Sequence, residues 1–218
     1  MNLFNLKRKN WLTLFVIYLR YLIGAAFVYS AMPKIAGIRF TTANGEFQPI
    51  GTWIHFFETL YRSGLYWNFL GWMQMLAGIL LMTQQFATLG ALIFLPLSLN
   101  IFVITVSLHF QGTSYVTGLI LAANIFLLFW DFHKSKFLFK PDSKENILIP
   151  SHYNAFANNS FWTYLGIVIF ITTILAKLFQ QITFITWGVA CITEGLGGLL
   201  IFLFFIKPKQ LFQHIQSK

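Results

Sequence analysis

The chain has 218 residues, of which 57% are hydrophobic and only 10% charged, and its net charge is +9. Soluble domains carry about 25% charged residues, so this composition excludes an ordinary soluble globule and indicates an integral membrane protein. The single cysteine, Cys191, excludes an intramolecular disulfide, a C-x-x-C redox pair and a thiolate metal cluster.

The first apolar run, 11–32, follows the basic start MNLFNLKRKN. It is longer than the roughly 7–15-residue core of a cleavable signal. It is also long enough to span a hydrocarbon layer, which takes about 20 residues, and is read as an uncleaved first transmembrane helix. Residues 33–64 follow on the far side. Their later part, PIGTWIHFFETLYRSG, sets Trp53, Phe56, Phe57, Leu60 and Tyr61 at helical spacing, with His55, Glu58 and Arg62 on another face. This pattern predicts a short amphipathic helix lying in the interface.

Further spans are predicted at 65–82, 86–108, 114–130, 161–179 and 184–206. Only Thr83, Gln84 and Gln85 separate the second from the third, which makes those two helices antiparallel neighbours. Pro96 falls inside the third span and predicts a packing kink, because it lacks an N–H and crowds the carbonyl one turn earlier. The stretch 131–160 is polar, with Pro141 and Pro150, and reads as a linker.

Orientation follows from the basic residues. Lys7, Arg8, Lys9, Lys134, Lys136, Lys140, Lys144, Lys207, Lys209 and Lys218 fall on one side of a six-span chain. Lys34, Arg39, Arg62 and Lys177 fall on the other. The positive-inside rule makes the first side cytoplasmic, with both termini there. The positive charge therefore reads as lysine bias beside a lipid bilayer, not as nucleic-acid binding.

Arg20 is the residue that this topology must explain. It follows Trp11 by a distance of about 14 Å along a helix, close to the middle of a layer about 30 Å thick. An unpaired arginine at that depth costs about 2.5–3.5 kcal/mol on insertion scales, so Arg20 is expected to face the interior and own a partner. The same reckoning places Gln74, Asn124 and Glu194 about halfway across their spans, and Asn100 in the outer half of its own. These residues predict a polar layer near the midplane, with Glu194 as the counter-charge of Arg20. Gly195, Gly197 and Gly198 would permit the close approach this needs. Two readings stand for the layer: glue that holds the helices in register, or a site for a polar head group or a proton. His55, Glu58 and His109 share one side but form no tight motif, so they are read as solvated interface residues and no metal site is assigned. No P-loop, dinucleotide fingerprint, nucleophile elbow or H-E-x-x-H occurs.

Arg20, Gly24, Phe27 and Lys34, in LRYLIGAAFVYSAMPKI, resemble the opening signature of the DoxX family: an arginine, a glycine four later, then an aromatic and a lysine just past the helix. The second span, GWMQMLAGILLM, resembles that family's G-x-x-E-x-x-x-G helix. Gly71 and Gly78 match, and Gln74 stands where many members have glutamate. The resemblance covers about 11–133.

It implies a four-helix membrane bundle, and with the spans read above the expected fold is an all-α membrane protein with six transmembrane helices: a four-helix DoxX-like bundle over 1–133, then, outside the resemblance, a cytoplasmic linker over 134–160 and a C-terminal two-helix hairpin and tail over 161–218. It further implies a bacterial inner-membrane protein and a subunit of a quinone-linked redox assembly. Arg20 would then polarise a quinone carbonyl, Gln74 and Asn124 would complete the pocket, and Tyr21 and Trp72 would flank the ring. No haem-ligand pair, iron–sulfur ligands or cysteine couple stands in the sequence, so the redox chemistry is expected from a partner protein. Two competing expectations are a small-solute transporter with a midplane polar site and a non-catalytic scaffold or assembly factor.

Overall fold

The computed structural model describes residues 9–39, 44–132, 159–179 and 183–206. Nearly all of them are helical. In chain order the helices are α1 (Asn10–Ile35), α2 (Trp53–Arg62), α3 (Leu65–Met82), α4 (Ala87–Ser107), α5 (Thr113–Trp130), α6 (Ser160–Leu178) and α7 (Phe184–Ile201). A π-helical turn, Phe202–Ile206, extends α7. Six of these, all but α2, are long and apolar enough to cross a membrane. The chain therefore has the architecture of a multi-pass helical membrane protein. The expected linker lies outside the described residues over 134–158, as do the tail over 207–218 and most of the lysines that set the expected orientation.

The helix ends follow local rules. Thr52, Asn159 and Thr183 precede α2, α6 and α7, and each side-chain oxygen accepts a backbone N–H of the first turn. The α3–α4 turn is tight because Gln84 takes a left-handed conformation, with φ of 61°. Helix α4 continues through Pro96, which costs one backbone hydrogen bond.

Helix α1 is the centre of the molecule. It packs against α3 on one side and α6 on another; α3 packs on α4, α4 on α5, and α6 on α7. The α1–α3 contact is unusually close because glycine faces glycine. A Cβ on Gly78 would stand 2.9 Å from Gly24 O, and one on Gly24 would stand 2.9 Å from Gly78 O. In lipid, where apolar surface alone does not drive helices together, such backbone approach supplies the attraction.

Two apolar clusters flank α1. One joins Val16, Ile23 and Phe27 to Leu81, Phe94 and Leu127, with the Phe27 and Phe94 rings edge-on at 4.2 Å. The other joins Tyr21 and Val28 to Met82, Trp162, Trp187 and Phe202. The outward faces carry large exposed apolar side chains such as Leu22, Leu119 and Ile185, as a lipid-facing surface requires.

Candidate functional site

Arg20 is buried, at 7% exposure, but its partners are not those the sequence suggests. Its Nη1 donates to Gln84 Oε1 at 2.9 Å and its Nη2 to Asp131 Oδ2 at 2.5 Å. The same carboxylate oxygen accepts from Thr88 Oγ1 at 3.1 Å. Gln84 lies in the α3–α4 turn and Asp131 caps the end of α5. Arg20 therefore stands level with the ends of its neighbours, not halfway along them. The cause is register. Gly24 and Gly78 fix α1 against α3, so α1 begins at Asn10, about 15 Å before the level at which the adjoining helices turn.

The expected midplane layer is accordingly dispersed. Glu194 pairs with α6 instead of Arg20: its Oε1 accepts from Thr172 Oγ1 at 2.5 Å. Asn124 is wholly buried, and its Nδ2 donates to Ala91 O at 3.2 Å, tying α5 to α4. Tyr21 donates its hydroxyl to Trp162 O, tying α1 to α6. Trp72 lies on the outer surface, 59% exposed. Of the predicted site residues, Gln74 and Asn100 line a common cavity.

That cavity lies at the other end of the bundle, between α1, α3, α4 and α5, with α2 across it. Its volume is about 250 Å³. Phe27, Leu70, Leu97, Ile101, Ile104 and Ile120 make most of the wall, and Phe57 and Leu60 of α2 close the end. The polar lining is sparse: Ser30, Lys34, Gln74, Asn100, Thr105, Thr113 and Thr117. Thr105 and Thr117 are already bonded to each other, with their hydroxyl oxygens 2.8 Å apart.

Lys34 is the cation of this cavity. It is buried, donates from Nζ to Ser30 O at 2.7 Å, and places Nζ 5.3 Å from the centroid of the Trp67 ring. An ammonium over an indole face is electrostatically favoured. The indole is itself fixed, because Trp67 Nε1 donates to Ile38 O at 3.1 Å. Gln74, also buried, makes no hydrogen bond to any described residue, and its Oε1 is fully enclosed. A buried polar group without a partner is uncommon and expensive.

Helix α2 is held in place by one carboxylate. Glu58 accepts from Arg39 Nε at 2.8 Å and Nη2 at 2.9 Å, from Arg62 Nε at 3.0 Å, and from Gly45 N at 3.4 Å. Trp53 stacks on Phe110 with centroids 4.3 Å apart. The Arg39 guanidinium holds the Glu58 carboxyl down from 4.5 to about 2; burial opposes this, and Arg62 and the Gly45 N–H reinforce it. Because the folded value is depressed, the stabilisation is complete above about pH 4.5 and is lost only as the pH falls through about 2. Hydrogen exchange over 44–62, corrected for intrinsic rates, is thus expected to be the same at pH 7 and pH 5. Glu58→Gln is expected to raise it about tenfold at either pH. A marked rise between pH 7 and pH 5 in the unsubstituted chain would contradict this account.

Sequence reasoning missed Asp131, Gln84 and the cavity role of Lys34. Asp131 carries a signal, being an acidic residue directly after a span, at the start of the polar stretch 131–160. No family model matches the chain, and comparison with curated proteins and with solved structures finds no similar protein.

Proposed function

We propose that this chain is a DoxX-like subunit of a quinone-linked redox assembly in a bacterial inner membrane. The cavity beneath α2, rather than the Arg20 node, would receive the quinone head group. In this reading both termini are cytoplasmic, α2 lies at the outer interface, and 161–218 is a hairpin added to a 1–133 bundle.

The observation that carries the reading is an apolar cavity with one buried ammonium and one unpartnered amide on its wall. Ligand sites in membrane and soluble proteins alike are mostly apolar, with a few placed polar groups. Size agrees as well. An engineered apolar cavity of about 150 Å³ takes a benzene, so about 250 Å³ accommodates a substituted ring. Phe27, Lys34 and Gln74, three positions of the family-like pattern, line this one space. Lys34 would donate to one ring oxygen, and Gln74 and Asn100 would bond the other polar edge. Arg20, Asn124 and Glu194 are assigned to holding helices together, since each is engaged with a neighbouring helix or turn. The bound ring would supply its own redox chemistry; the chain would orient it and keep water out.

Organic extraction of the protein purified in mild detergent tests the assignment. Wild-type protein is expected to retain quinone after washing. Lys34→Ala is expected to lower the retained amount about tenfold, the scale of one lost charge-assisted hydrogen bond. Wild-type protein free of quinone, at full folding, would sink the proposal.

A further inference from the structure

Gln74 limits the chemistry of whatever fills the cavity. It is 5% exposed, lines the space, and has neither its donor nor its acceptor engaged by a described residue. Lys34, which packs against Gly71 one turn before Gln74 on α3 and lines the same space, is a donor only. An occupant that merely accepts hydrogen bonds, such as a ketone, ester or ether, would serve Lys34 and the amide N–H groups. It would leave Gln74 Oε1 bare in an apolar surrounding, where an unmet acceptor is penalised most. An occupant with an O–H group meets that oxygen as well.

We infer that the cavity recognises its occupant through a hydroxyl donated to Gln74, so that it holds the quinol form in preference to a ring without donors. This rests on the quinone reading above and narrows it. Sites that bond a ligand hydroxyl discriminate strongly against the analogue lacking it, because their own polar group is then left unpaired.

The test compares two probes of equal ring and tail: a decyl-substituted benzoquinol and its dimethyl ether, which keeps the oxygens and loses both donors. Each is dialysed anaerobically to equilibrium against the intact chain in detergent, with empty micelles as the reference. The quinol is expected to bind at least about tenfold more tightly than the ether. Gln74→Leu is expected to bring that ratio to about one, because the quinol loses both the acceptor and the donor of the amide whereas the ether loses only a bond from its N–H. Equal binding by the wild-type chain, or tighter binding of the ether, overturns the inference and leaves the quinone reading standing. A preference that survives in Gln74→Leu overturns the role of Gln74. Binding of neither probe sinks the quinone reading, and the inference with it.

Discussion

Replacing Asp131 by alanine is expected to destabilise the bundle by about 3–5 kcal/mol, the usual cost of leaving one member of a buried pair uncompensated. The size of the effect depends on where the pair lies. An exposed arginine–carboxylate pair contributes about 0–1 kcal/mol, and an arginine at the rim of a bilayer finds water. Here the side chains are only 8% and 4% exposed, and the contact is 2.5 Å. Arg20 is covered by its own helix, by the α3–α4 turn and by the end of α5, so removing Asp131 strands a cation that, among the described residues, has only Gln84 left. Arg20→Met is expected to cost a similar amount, because Asp131 is buried as well and keeps only Thr88 among the described residues. The double variant Arg20→Met with Asp131→Leu is expected to recover most of the loss, since apolar residues of similar size often replace a buried ion pair without penalty. Thermal unfolding in detergent, taken as a double-mutant cycle, measures each term. Additive losses from the two single changes would show that the pair is not energetically coupled.

The fate of Arg20 also shows what one sequence discloses and what it does not. Span existence is a property of each segment alone: twenty apolar residues have one low-energy arrangement in lipid, a helix. The predicted spans 65–82 and 114–130 accordingly agree with α3 and α5 to within a residue. The short helix α2 was legible for the same reason, since the spacing of Trp53, Phe57, Leu60 and Tyr61 is local information. The partner of Arg20 is a different kind of fact. It depends on how far α1 slides past α3, and that register is set by Gly24 meeting Gly78. Counting depth from Trp11 assumed that all spans start level. Helix α1 has 26 residues against 18 in α3, and its excess extends past the turn. Glu194 lies on α7, which packs on α6, whereas the end of α5 brings Asp131 to Arg20. Lys34 was misplaced by similar logic: the end of a span reads as the water boundary, yet α2 and Trp67 cover that end and turn a terminal lysine into a cavity wall.

Gly166→Ala is expected to be the most damaging single methyl group in the chain's second half, with a loss of about 2–4 kcal/mol. A Cβ at this position would stand 2.0 Å from Met82 O and 2.9 Å from Tyr21 Cε1. The first of these is backbone at the end of α3 and cannot rotate aside, so α6 must move away. Overpacking of this kind costs about 1–3 kcal/mol. The movement also strains two hydrogen bonds made within one turn of Gly166: Tyr21 O–H to Trp162 O, and Thr163 Oγ1 to Thr83 O at 2.8 Å. Each is worth about 1 kcal/mol. Gly197→Ala on α7 is the matched control. A Cβ there meets nothing within 4 Å, so only helix propensity acts, and alanine is expected to be neutral or stabilising by up to about 1 kcal/mol. Two measurements separate undocking of α6 from general instability. Cysteines introduced as Thr83→Cys and Thr163→Cys, in a Cys191→Ala background, report the α3–α6 junction through their rate of cross-linking, which Gly166→Ala should lower. Probe binding in the cavity reports α1, α3, α4 and α5, none of which contributes its cavity wall through α6. Retained binding with slowed cross-linking would mean that the four cavity helices hold together without the α6 contact. Loss of both would mean that α1, packed between α3 and α6, needs both neighbours to keep its place.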